Sequence, residues 1–211
     1  MPKTIKEQKE TILIAGIGLV LLIAAMVGMY TMVALPSSVS AATETITVGA
    51  TISEWLSFSV STNTATIVPA LVDSGGTEAI GTSNTITLTA GTNDDAGYTI
   101  TIMSQSNAGL CHSGGCGTHN INSGTSTLAT STDGYGAQAT STDGDVTVDT
   151  AFDKTGNDVG GITTGGKTLA YTASESDDDD TDLLFKAAAS KTDPEGAYSD
   201  MVDLVCVGNT P

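Results

Sequence analysis

The chain has 211 residues, 7 of them basic and 24 acidic, for a formal charge of −17, and it contains no arginine. That balance excludes nucleic acid and anionic membrane surfaces as partners, because phosphate binding needs clustered Lys and Arg. It suits an aggregation-resistant body whose natural counterparts are basic surfaces and divalent cations.

The first ten residues carry Lys3, Lys6 and Lys9. An uncharged apolar run follows from Thr11 to Leu35, then Pro36 and small residues up to Ala42. A basic start, apolar middle and small-residue end is the pattern of an export signal. The run is also long enough to cross a bilayer, which takes roughly 20 residues. Segment 1–42 is therefore expected to be either a cleaved signal peptide or a retained membrane-anchor helix, and it is the chain's only expected contact with a membrane. In both cases the lysines stay inside and the remainder goes out. The remainder, residues 43–211, can form one domain with its own core. Setting aside Lys3, Lys6, Lys9, Glu7 and Glu10 leaves it four lysines against 22 acids, a formal −18.

Period-two alternation then marks half-buried strands. "ETITV" puts Ile46 and Val48 on one side, and "WLSFSVS" puts Leu56, Phe58 and Val60 on one side. "NTITLTA" offers Ile86 and Leu88, while "GYTITIM" offers Tyr98, Ile100 and Ile102. Val146 with Val148 and Leu169 with Tyr171 follow. "AYSDMVDLVCV" closes the chain with Tyr198, Val202, Leu204 and Cys206 on a face that Asp200 interrupts. Turn signals separate the runs at 73–76, 92–97, 154–158 and 163–167. Short strands carrying scattered aromatics have few ways to hide one face. The expected fold is an all-β, immunoglobulin-like or jelly-roll-like antiparallel β-sandwich, preceded by the N-terminal hydrophobic export helix.

Between about 104 and 144 the alternation fades into Gly, Ser, Thr and Asn, which predicts one long loop region. It repeats "ATSTDG" at 129–134 and 139–144, which reads as slippage in a low-complexity loop or as two hairpin tips. The segment "DDDDTDLLFKAAASK" has the acids, alanines and terminal lysines of a helix. The all-β context instead predicts a strand over 183–191 that buries Leu183, Phe185 and Ala187.

The residues able to do chemistry are concentrated in "GLCHSGGCGTHN". Export implies an oxidising compartment, so Cys111 and Cys116 are expected to form a disulfide around "HSGG". Zinc on Cys111, His112, Cys116 and His119 is the alternative. It is disfavoured because adjacent Cys111 and His112 diverge and structural zinc uses two separated ligand pairs. Cys206 reads as a small buried hydrophobe. Calcium is the one cofactor with candidate ligands, at Asp177, Asp178, Asp180 and Asp182, although a self-repelling acidic loop accounts for the same run. No catalytic set and no other cofactor site is expected.

The order of pieces also carries a resemblance. "NTITLTAGTNDDAGYTITI" at 84–102, "DGYG" at 133–136 and "DPEGAYSDMVDLVCVGN" at 193–209 resemble uncharacterised exported β-sandwich surface proteins of reduced-genome, candidate-phylum bacteria. "GYTITI" is more distantly similar to WxL-type surface domains, although residues 55–57 read Trp-Leu-Ser and lack the Trp-x-Leu signature. The resemblance implies a surface location without a known activity. Together these readings predict a non-catalytic structural or adhesive module at the cell surface, facing a cell-surface or extracellular macromolecule. Two alternatives are a pilin-like subunit assembling by strand donation and a calcium-dependent carbohydrate-binding module.

Overall fold

The computed structural model describes residues 47–210 except Ser106 and Thr118. The chain divides into two units, Met1–Ala50 and Thr51–Pro211. The export segment 1–42 and the start of the expected strand, 43–46, lie outside the described residues. Of the rest of that strand, Thr47 to Ala50 form no ladder, and Val48 is 88 % exposed rather than buried.

Along the second unit run β1 (Leu56–Val60), β2 (Ile80–Thr82), β3 (Ile86–Thr92), β4 (Tyr98–Ser104), β5 (Gly109–His112), β6 (Asn120–Asn122) and β7 (Ser126–Thr127). Then come β8 (Gly134–Ser141), β9 (Thr147–Val148), β10 (Asp158–Val159), β11 (Lys167–Tyr171), β12 (Ser176–Ala188), β13 (Tyr198–Ser199) and β14 (Val202–Gly208). Among the described residues there is no helix, and every strand pair is antiparallel. One sheet has the order β1-β3-β12-β2, with β8 on the other edge of β12; a second has the order β14-β4-β11-β9. Two small sheets, β13-β5-β6 and β10-β7, complete the set.

The core lies between the two large sheets, as in a β-sandwich. Leu88 and Leu183 come from the first, and Tyr98, Ile100, Ile102 and Leu169 from the second, all fully buried. Each such side chain contributes about 1.5–3 kcal/mol relative to exposure.

The ambiguous segment is a strand. Leu183, Phe185 and Ala187 face inward, at 0, 6 and 0 % exposure. Both edges of β12 are occupied, by β3 and β2 on one side and β8 on the other, and this pairing overrides local helix propensity. The aspartate run, read as a loop, belongs to the same strand. Across the ladder Thr89 Oγ1 donates to Asp180 Oδ1 at 2.7 Å and Thr87 Oγ1 to Asp182 Oδ1 at 2.8 Å. Hydroxyls directly opposite thus give these carboxylates partners that a loop would have left to water.

Two further expectations are corrected. Tyr171 does not share the buried face of Leu169. A bulge between Thr168 and Ala170 turns Ala170 inward and leaves Tyr171 38 % exposed. The stretch at about 104–144 is not one loop, since it holds β5, β6, β7 and the eight-residue β8. β8 has glycine at 134 and 136 because Leu128 and the chain at 159–160 press on it there. A Cβ on Gly136 would stand 2.6 Å from the carbonyl oxygen of Gly160. The "ATSTDG" copies span the turns at the two ends of β8.

Candidate functional site

The segment at 109–120 is a strap. Cys111 and Cys116 form the expected disulfide, with a Cα–Cα distance of 4.6 Å. Cys206 is free and half-buried, and burial pushes its thiol up to about 11, well away from a reactive thiolate.

His112 uses both ring nitrogens. The backbone N–H of Gly114 donates to Nδ1 at 3.0 Å, and Nε2 lies 3.0 Å from the carbonyl oxygen of Glu195. An Nδ1 that accepts leaves the proton on Nε2, which then donates to Glu195. The ring also packs edge-on against Tyr198, with centroids 5.1 Å apart, and Tyr198 Oη donates to the carbonyl of Pro194 at 3.0 Å. The backbone completes the link: β13 pairs with β5, and Ser113 N donates to Ala197 O at 2.8 Å. His119 stands 6.2 Å from His112, ring to ring, as an aromatic neighbour. Of the residues considered for covalent or zinc chemistry, His112 through its ring and Cys111 through its backbone hold segment 194–199 in place.

The four calcium candidates are strung along β12. Asp177 and Asp178 are exposed at a bulge where Asp178 has φ 56°. Asp180 and Asp182 are engaged with β3 threonines, as described. Asp179, between them, points inward at 8 % exposure and accepts from Tyr98 Oη at 3.4 Å. Among the described residues no three His, Cys, Asp or Glu side chains converge as a metal site would require.

What the sequence did not reveal is a cavity of about 1140 Å³. Its walls are the chain from Phe58 to Ser74 on one side and from Lys191 to Leu204 on the other; its floor includes Ile86, Phe185 and Tyr135. The wall at 191–204 carries the segment held by His112. In it Asp200 takes a hydrogen bond from Ser104 Oγ at 2.7 Å through Oδ1, while its other oxygen is buried without a partner. Burial raises the Asp200 carboxyl above its ordinary range, and the Tyr135 hydroxyl beside it is driven up as well, first by burial and then by that carboxylate. Two sequence signals pointed here: Asp200 breaking an apolar face, and the uncharged apolar face of β1.

No protein-family model matches the chain, and no curated protein sequence does.

Proposed function

We propose that the chain is an exported, acidic, non-catalytic β-sandwich module with a structural or adhesive role at the cell surface. The observation that carries this reading is the state of its reactive residues. Cys111 and Cys116 are bonded to each other, His112 uses Nδ1 to accept from Gly114 of its own loop and Nε2 to hold segment 194–199 through Glu195, and Cys206 has a raised pKa. A site built for chemistry presents such groups to a substrate; here they brace a loop. The disulfide suits an oxidising compartment. The formal −18 of residues 43–211 suits a solvated outer surface.

On this reading segment 1–42 directs export, either cleaved or retained as an anchor through 11–35. The sandwich is immunoglobulin-like or jelly-roll-like, and the chain falls among the exported surface proteins of reduced-genome bacteria that its sequence resembles. Its partner is a cell-surface or extracellular macromolecule. Fractionation of native cells followed by surface cross-linking tests this. Recovery in the envelope with cross-links to outer macromolecules supports it, and recovery among cytosolic proteins with Cys111 and Cys116 reduced overturns it.

A further inference from the structure

The two flanks of the second unit are finished differently. On one, β8 is sealed: Ala137 and Gly160 exchange backbone hydrogen bonds at 2.9 and 2.8 Å, and Ala139 N donates to Phe152 O at 2.8 Å. On the other, β1 pairs only with β3 and β14 only with β4, so each presents an unpaired edge. The cavity is bordered by the Phe58–Val60 end of β1 and the Val202–Leu204 end of β14. Apolar side chains show through the gap: Val60 is 40 % exposed, and Phe58, Val202 and Leu204 are only partly covered. At about 1140 Å³ it is larger than the roughly 300–1,000 Å³ of small-molecule sites. Two free strand edges over an apolar floor are what an added strand recognises.

The sequence offers a matching segment. Residues 45–52, "TITVGATI", alternate Ile46, Val48, Ala50 and Ile52 with threonine and glycine and carry no charge. Ile52 is 87 % exposed and sits in no strand. It is not placed to fill its own groove. Asn93 Nδ2 donates to Ser53 O at 2.9 Å, Trp55 N donates to Asn93 Oδ1 at 2.8 Å, and Thr92 Oγ1 donates to Trp55 O at 2.9 Å. These bonds tie residues 53–55 beside Thr92 and Asn93, so the chain enters β1 from the end opposite Val60, where the groove opens.

We propose that residues 45–52 of one copy insert as a strand into the groove between β1 and β14 of a second copy, so that the chain self-associates by strand donation. The inference rests on the surface-module reading for its purpose alone. A protein that exchanges strands but lies inside the cell refutes that reading, and one at the surface that does not exchange strands refutes this inference.

The test uses the full-length chain in mild detergent, in two differently tagged preparations. One carries Val48→Cys and the other Ala65→Cys, an exposed position on the groove wall. The parent chain gives the background from Cys206. Oxidation of the mixture should yield a cross-linked band bearing both tags. It should form about tenfold or more faster than with Thr155→Cys, an exposed site on the sealed flank, because binding raises the effective concentration of the pair. Val48→Asp, which alters no strand of the second unit, should abolish association in sedimentation. Equal rates at Ala65 and Thr155, no cross-link at either, or a concentration-independent link within one chain carrying both Val48→Cys and Ala65→Cys would each overturn the proposal.

Discussion

Replacing His112 with alanine tests whether the strap holds the groove wall. The side chain makes two hydrogen bonds, from Gly114 N and to Glu195 O, and one edge-on contact with Tyr198. A hydrogen bond contributes about 0.5–1.5 kcal/mol net, and an aromatic pair adds about 0.5–1.5 kcal/mol. The ring is partly exposed, so values below the middle of each range apply, and the three contacts together come to about 2 kcal/mol. The loss is local, because β13 and β5 sit outside the two large sheets. Hydrogen exchange is the assay. Amides of 195–199 and 113–114 should exchange about thirtyfold faster, since 1.4 kcal/mol is a factor of ten, while amides of β4 and β12 stay unchanged. If exchange at 195–199 matches the parent, His112 is not the brace. If β4 and β12 accelerate equally, the segment opens only with the whole domain.

Gly97→Ala should cost about 2–4 kcal/mol in urea unfolding followed by Trp55 fluorescence, because Gly97 has φ 77° and a Cβ would stand 2.2 Å from Thr172 O. Gly76→Ala, with φ 76° and nothing within 4 Å, should cost only the backbone part of about 1–2 kcal/mol, and equal losses would refute the close approach at Thr172. Cys111→Ser should cost about 2 kcal/mol or less, since the bridge spans only five positions in sequence; a loss of cooperative unfolding would show a larger role. Asp200 has a raised pKa in the folded chain, so its stabilising contribution is full below the unfolded value of about 3.9 and is lost as pH rises through the folded value. Asp200→Asn should therefore gain on the parent between acid and neutral pH in thermal melts, and a difference constant with pH would refute it.

What could be read in advance followed side-chain bulk. β3 and β4 announced themselves because Ile86, Leu88, Tyr98, Ile100 and Ile102 alternate with threonine, and all five are buried. The four turn signals each contain a glycine with positive φ, at Gly76, Gly97, Gly156 and Gly166. β8 went unread for the opposite reason. Apart from Tyr135 and Gln138 its buried residues are glycine and alanine, which carry little hydrophobic signal, and Gly136 must be small because the chain at 159–160 lies against it. The acid run was unreadable as strand without its partner, because the threonines that satisfy Asp180 and Asp182 lie more than ninety residues earlier. Of the candidate site, the disulfide followed from compartment and spacing. The role of His112 did not, since its acceptor is the backbone of Glu195, and no side-chain pattern encodes a carbonyl.

The charge of the domain and its open flank bear on one another. Two copies carrying about −18 each repel, and repulsion commonly protects sheet edges from unwanted pairing. Here the protection is uneven. β1 reads Leu-Ser-Phe-Ser-Val and has no charge, and the donor residues 45–52 have none either, so the barrier to insertion comes from the groove wall and the remainder of each domain rather than from these two strands. The groove wall adds Asp73, Asp193, Glu195, Asp200 and Asp203 against a single Lys191. Such a barrier is long-range and screenable, whereas the gain from apolar burial and backbone pairing is short-range and is not. Salt should therefore strengthen self-association, as the Debye length shrinks from about 10 Å at 0.1 M to about 3 Å at 1 M. Sedimentation of the full-length chain across that range should show growing assemblies, with Val48→Asp remaining monomeric throughout. An assembly that dissolves as salt rises would mean that opposite charges hold the copies together, and the inserted strand would not be the contact.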